Sequence, residues 1–94
     1  LPSAPSNLTA TTVSATGIDL KWSDTANNED GFKIESSLNG TTFTQIATVA
    51  ANATTYSSTG LSCDTFYYYR VRSYNATGNS GYSNTAKKKT SKCR

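Results

Sequence analysis

The stretch Thr65-Phe66-Tyr67-Tyr68-Tyr69-Arg70-Val71-Arg72-Ser73-Tyr74-Asn75 decides the fold. Aromatic and β-branched residues favour an extended backbone, and successive side chains of a strand point to opposite faces. Strict alternation puts Tyr67, Tyr69, Val71 and Ser73 on one face and Phe66, Tyr68, Arg70, Arg72 and Tyr74 on the other. The face carrying Val71 must be the core face, so both arginines point outward.

The same two-residue period recurs outward from this strand, in Ile18-Asp19-Leu20-Lys21-Trp22 and in Phe32-Lys33-Ile34-Glu35. Turn-forming residues punctuate it at Gly17, Asn27-Asn28-Glu29-Asp30-Gly31, Asn39-Gly40, Asn52, Gly60, and from Asn75 to Gly81. Strands are expected near 8–14, 17–23, 31–37, 42–49, 54–58, 65–75 and 81–86, with no helical segment. Asn39-Gly40 predicts a type I′ hairpin turn, because both residues tolerate positive φ. Seven short strands in 94 residues indicate an all-β, antiparallel sandwich with a single thin core. Composition agrees. Nearly a third of the residues are Ser or Thr, there are six Tyr, three Phe, one Trp and no Met, and charged residues are 16%. A coiled coil, a membrane span and a collagen-like repeat are excluded.

Three further residues carry a resemblance. Trp22 lies on the second strand, Leu61 precedes Tyr67 by six positions, and Gly60-Leu61-Ser62-Cys63-Asp64-Thr65-Phe66-Tyr67 looks like a tyrosine corner, whose phenol reaches back to the turn before its strand. With the ending Arg70-Val71-Arg72-Ser73-Tyr74-Asn75-Ala76-Thr77-Gly78-Asn79-Ser80, residues 5–86 resemble a fibronectin type III domain. The resemblance implies a seven-stranded immunoglobulin-like sandwich with sheets A-B-E and C′-C-F-G in the family's lettering, and a core containing Trp22, Leu61, Tyr67 and Val71. Asn28-Glu29-Asp30-Gly31-Phe32-Lys33-Ile34-Glu35 and Phe43-Thr44-Gln45-Ile46-Ala47-Thr48-Val49 look like the versions found in bacterial secreted proteins, where such domains sit beside glycoside hydrolases or peptidases as spacers or accessory units. The corner turn of the family usually carries Pro-Gly, and this chain has Cys63-Asp64 instead.

Cys63 and Cys93 are too few for a Cys-only zinc site and lack the Cys-x-x-Cys spacing of a redox motif. A disulfide is the simpler reading, and it implies an oxidising, extracellular compartment, secreted or at the cell surface. The last strand of the expected topology ends at the same pole as the turn before Tyr67, so a short tail can reach Cys63. The start, Leu1-Pro2-Ser3-Ala4-Pro5-Ser6, has no signal-peptide pattern and reads as an interdomain linker over 1–6, followed by the domain at 7–86 and a basic tail at 87–94.

Charge and inventory restrict function. Lys87, Lys88, Lys89, Lys92 and Arg94 carry more than half of the positive charge, so the net +3 reads as a solvated tail and nucleic acid is not an expected partner. There is no His, and the carboxylates are Asp19, Asp24, Glu29, Asp30, Glu35 and Asp64 only. A sandwich filled by its own side chains has little room for the cleft of a two-carboxylate hydrolase; no enzyme activity, cofactor, metal or membrane insertion is expected. Asp24 to Gly31 concentrates oxygen ligands but lacks the D-x-[DN]-x-[DN]-G spacing of a calcium loop and reads as turn chemistry. The four sequons at Asn7, Asn39, Asn52 and Asn75 are close to what so hydroxyl-rich a chain holds by composition. No Arg-Gly-Asp occurs between the last two strands. The candidate binding face is the outward row Phe66, Tyr68, Arg70, Arg72 and Tyr74, which either stacks a polysaccharide or pairs across the sheet with Lys33 and Glu35. The expected function is a spacer or docking module whose partners are neighbouring domains. The alternative is an accessory carbohydrate-binding module serving an attached hydrolase, with polysaccharide or a cell-surface protein as partner.

Overall fold

The computed structural model of the chain describes residues 3–24 and 29–93. Among the described residues eight strands follow in order: β1 (Ser6–Ser14), β2 (Gly17–Ser23), β3 (Gly31–Ser37), β4 (Thr44–Ala50), β5 (Thr55–Ser58), β6 (Phe66–Asn75), β7 (Gly78–Asn79) and β8 (Ala86–Lys89). One antiparallel sheet has the order β1-β2-β5; the other has β4-β3-β6-β7, with β8 also paired to β6. The two sheets are the layers of the expected sandwich.

Alternation places the core. In β2, Ile18, Leu20 and Trp22 are buried while Asp19 and Lys21 are exposed. Together with Leu8 they meet Phe32, Ile34, Tyr69, Val71 and Ala86 of the second layer. The Trp22 and Phe32 rings meet at a tilt, 5.7 Å between centroids. Full burial of such a side chain stabilises by about 1.5–3 kcal/mol. The layers are also tied by a buried polar contact, in which the Tyr69 hydroxyl donates to Ser58 Oγ at 2.9 Å. Leu61 and Tyr67 pack against this core from its rim, only partly buried; Tyr69 is the tyrosine with no exposed surface.

Four expectations need correction. The segment from Ser80 to Thr85 is not a strand, and the last strand is Ala86–Lys89. Serine hydroxyls explain the difference: Ser80 Oγ accepts from Ser73 N at 2.9 Å and Ser83 Oγ from Val71 N at 3.0 Å, taking the places of ladder carbonyls. Lys87, Lys88 and Lys89 therefore belong to the sheet rather than to a tail, and Arg94 lies outside the described residues. Residues 3–6 of the expected linker are packed as well. The Ser3 carbonyl accepts from Ser73 Oγ at 2.7 Å, Pro5 is buried, and Ser6 opens β1; Leu1 and Pro2 lie outside the described residues. Finally, the β3–β4 connection is not a type I′ hairpin. Gly40 takes positive φ (78°) and Asn39 does not. Ser37 Oγ accepts from Asn39 N and Gly40 N, and Asn39 Oδ1 from Thr41 N and Thr42 N, so side chains rather than a two-residue turn close the loop. Of the expected turn at 24–31, residues 25–28 lie outside the described residues.

The body measures 45 × 23 × 19 Å. Ser3 sits beside Ser73, near the end of β6, while Cys93 is bonded to Cys63, before its start. The two described ends of the chain thus lie at opposite poles, with the strand from Phe66 to Ser73, about 23 Å of extended backbone, and the corner turn between them.

Candidate functional site

The outer face of the larger sheet is assembled from alternate residues of three strands. Gly31, Lys33, Glu35 and Ser37 of β3 stand opposite Tyr74, Arg72, Arg70 and Tyr68 of β6. On the other side of β6, Lys87 stands opposite Tyr68 and Lys89 opposite Phe66. Phe43, just before β4, and Tyr82, in the irregular stretch before β8, complete the face.

Glu35 is its hub. Its Oε1 accepts from Arg70 Nε at 2.9 Å, and the Arg70 Nη2 lies at the same distance. Its Oε2 accepts from the Tyr82 hydroxyl at 2.9 Å, with Arg72 Nη2 at 3.6 Å. The carboxylate side chain is only 7% exposed, against 28% for Arg70 and 24% for Arg72. Bonds from Arg70 and the Tyr82 hydroxyl, with Arg72 close by, supply the hydrogen-bond partners that a side chain so buried requires. The Arg70 guanidinium is sandwiched, 4.1 Å from the Phe43 ring centroid and 3.6 Å from that of Tyr82. Burial, and then the hydrogen bond to Glu35, push the Tyr82 phenol above its ordinary range.

The other rings of the row are covered too. Tyr74 lies over Gly31, where a Cβ would come within about 3.0 Å of the ring, and Lys33 Nζ stands 5.0 Å from its centroid while donating to Asn79 Oδ1 at 2.8 Å. Tyr68 packs against Gly40, and Lys87 Nζ is 5.3 Å from its centroid. Phe66 is the most open at 46% exposed, flanked by Lys87 at 4.5 Å and Lys89 at 5.4 Å. The face therefore presents cations, with ring faces mostly occupied beneath them.

The pole beside Phe66 holds the corner. Ser62 N donates to the Tyr67 hydroxyl at 2.9 Å. Cys63 is disulfide-bonded to Cys93, with 5.2 Å between Cα atoms. Thr90 ties the turn from the inside: its Oγ1 donates to the Ser62 carbonyl at 2.7 Å and accepts from Thr65 N at 3.1 Å. Among the described residues, no three carboxylate or thiol side chains come together in a metal-holding group.

Comparison with known proteins fits this geometry. Residues 3–89 match the model of the fibronectin type III domain. The chain belongs to the fibronectin type III family. An alpha-amylase of Niallia circulans is 38% identical over 86 residues, covering 90% of this chain, which spans 6% of that protein's length. A solved Fn3-like protein from Clostridium thermocellum is 27% identical, with a TM-score of 0.80 and coverage of 99% of this chain and 97% of that one. The β-1,2-glucanase of Parabacteroides distasonis shares the fold alone, at 22% identity and a TM-score of 0.87, with this chain spanning 13% of it. Fibronectin type III modules similar to this one thus occur within larger polypeptides.

In this fibronectin type III domain, Asp64 stands where the family's corner turn usually carries Gly, and it adopts positive φ (52°). Its N–H donates to the Ser91 carbonyl at 2.8 Å and its carboxylate meets Lys89 Nζ at 2.9 Å. Sequence reasoning missed Tyr82, Phe43, Lys87 and Lys89 as members of the outer face. The lysines show no two-residue alternation to mark a face: Ala86 and Thr90 are buried, but Lys87, Lys88 and Lys89 between them are all exposed. Tyr82 carries no local signal, because its segment follows no regular period.

Proposed function

We propose that this domain is a non-catalytic spacer or docking module of a secreted or cell-surface multidomain protein, with neighbouring domains of the same polypeptide as its partners. One observation carries the reading. The described ends of the chain leave opposite poles of a body 45 Å long, and each is anchored, the first through the Ser3 carbonyl and the second through the Cys63–Cys93 bond. A polypeptide passing through such a module is held apart by its length rather than folded back. The disulfide and the match to a bacterial alpha-amylase support the extracellular setting. The alternative, stacking of a neutral polysaccharide on Phe66, Tyr68 and Tyr74, gains little from the covered rings of Tyr68 and Tyr74.

The test is to insert the domain between two fluorescent proteins and compare it, by small-angle scattering and energy transfer, with a Gly/Ser linker of equal residue number. A narrow distance distribution, displaced by about the 45 Å length of the domain, is expected. A distribution as broad as that of the flexible linker overturns the spacer reading.

A further inference from the structure

We infer that the outer face of the larger sheet is a docking surface for an acidic polysaccharide, a linear glycan bearing carboxylate or sulfate groups. The inference goes beyond the spacer reading, which makes no use of this face, and the two fail independently.

The fold turns an apparent tail into a face. Lys87 and Lys89 are fixed outward in β8, opposite Tyr68 and Phe66, and so join Arg70, Arg72 and Lys33 on one surface. From the Phe66 row to the Tyr74 row, alternate residues of β6 cover about 27 Å. Two carboxylates accompany these five cations. Glu35 is buried beneath the arginines, and Asp64 sits at the pole on Lys89. Asp30 lies beyond Tyr74, where its N–H donates to the Tyr74 carbonyl, so an acidic residue stands at each end of the face and the cations lie between. Three strands about 4.8 Å apart make the surface about 10 Å wide against its length, a long narrow shape that suits a chain better than a globular patch.

The rings decide the class of ligand. A single-stranded nucleic acid or a neutral glycan needs free aromatic faces for stacking, and here the ring of Tyr82 lies beneath two guanidiniums, while Tyr68 and Tyr74 lie against glycine backbone. What the face offers instead is two ammoniums, Lys87 and Lys89, within 4.5 and 5.4 Å of the centroid of the half-exposed Phe66 ring. Charged groups of an acidic glycan meet the ammoniums, and the C–H surface of one sugar ring meets Phe66.

Dissociation constants should be measured in 50 mM salt for polygalacturonate, dextran sulfate, neutral dextran, polyglutamate and oligo(dT). Binding is expected to both acidic glycans and not to dextran, with polyglutamate and oligo(dT) at least ten-fold weaker. Raising salt to 200 mM should weaken glycan binding by about 30-fold, as for three to four charge contacts. Lys87→Gln with Lys89→Gln should weaken polygalacturonate binding at least ten-fold, whereas Lys21→Gln with Lys92→Gln, equal in net charge, should change it less than two-fold. Phe66→Ala, which leaves the charges in place, should weaken it by at least three-fold. Near-UV circular dichroism checks that each variant keeps the fold. Failure of the parent domain to bind either acidic glycan, equal loss in the two lysine pairs, or polyglutamate or oligo(dT) binding as tightly as the glycans overturns the proposal.

Discussion

Tyr67 and Tyr69 lie two residues apart on the same side of β6, with ring centroids 6.4 Å apart, yet their hydroxyls face different consequences. Tyr67 accepts from an exposed N–H of Ser62, which water can satisfy if the phenol is lost. Tyr67→Phe should lower stability by about 1 kcal/mol in urea denaturation. Tyr69→Phe strands the buried Ser58 hydroxyl and should cost more, up to about 3 kcal/mol. Asp64 gives a second comparison. Gly adopts its φ of 52° without strain and Ala does not, and both substitutions remove the ion pair to Lys89. Asp64→Ala should therefore unfold more easily than Asp64→Gly, by about 1 kcal/mol, on the same denaturation curves. Burial raises the phenols of Tyr69 and Tyr82 above the ordinary 10.0, so the folded state holds their protons more tightly than the unfolded chain does. Their contribution is complete below pH 10 and is lost as the pH rises through the folded values. Stability should fall across that alkaline range, and Tyr82→Phe should flatten the fall in denaturation midpoints measured against pH.

At the scale of elements, β2, β3 and β6 were legible because each alternates strongly enough to mark a core side. Ile18, Leu20, Trp22, Phe32, Ile34, Val71 and Tyr69 all lie at such positions and all are buried. The stretch from Gly78 to Lys89 was not legible. A strand expectation at 81–86 counts residue types, but the ladder there is carried by serine hydroxyls, and whether a hydroxyl replaces a carbonyl depends on where β6 lies beside it. Ser83→Ala tests this pairing. It leaves the buried Val71 N–H without its Ser83 acceptor and should lower stability by about 1–3 kcal/mol. Faster amide exchange at Val71, with Ile18 in the opposite sheet unchanged, would mark the loss as local. An unchanged midpoint and unchanged exchange would show that the neighbouring backbone bond, Ser83 N to the Val71 carbonyl at 2.7 Å, holds the segment by itself.

At the scale of the molecule, the Cys63–Cys93 bond closes a span of 30 residues that contains β6, β7 and β8. In the chain-entropy model a loop of this size stabilises by about 3–4 kcal/mol. Replacing both cysteines by Ser should lower the unfolding free energy by up to that amount, as read from denaturation of parent and variant under non-reducing conditions. The bond also fixes the end of β8, and so holds Lys89 opposite Phe66. The sequence by itself determined the sandwich, its core side and the identity of the outward row, because a two-residue period is a local property that every strand carries independently. It also marked Tyr67 as a corner, since the spacing to Leu61 and the turn lies within one short segment. Only the tertiary structure decided that the terminal lysines belong to a sheet face, that Arg70 lies between Phe43 and Tyr82, and that Gly31 and Gly40 receive the rings of Tyr74 and Tyr68. Those contacts join residues far apart in the chain, and they exist only where the register of β3, β6 and β8 brings the partners to the same level of the sheet.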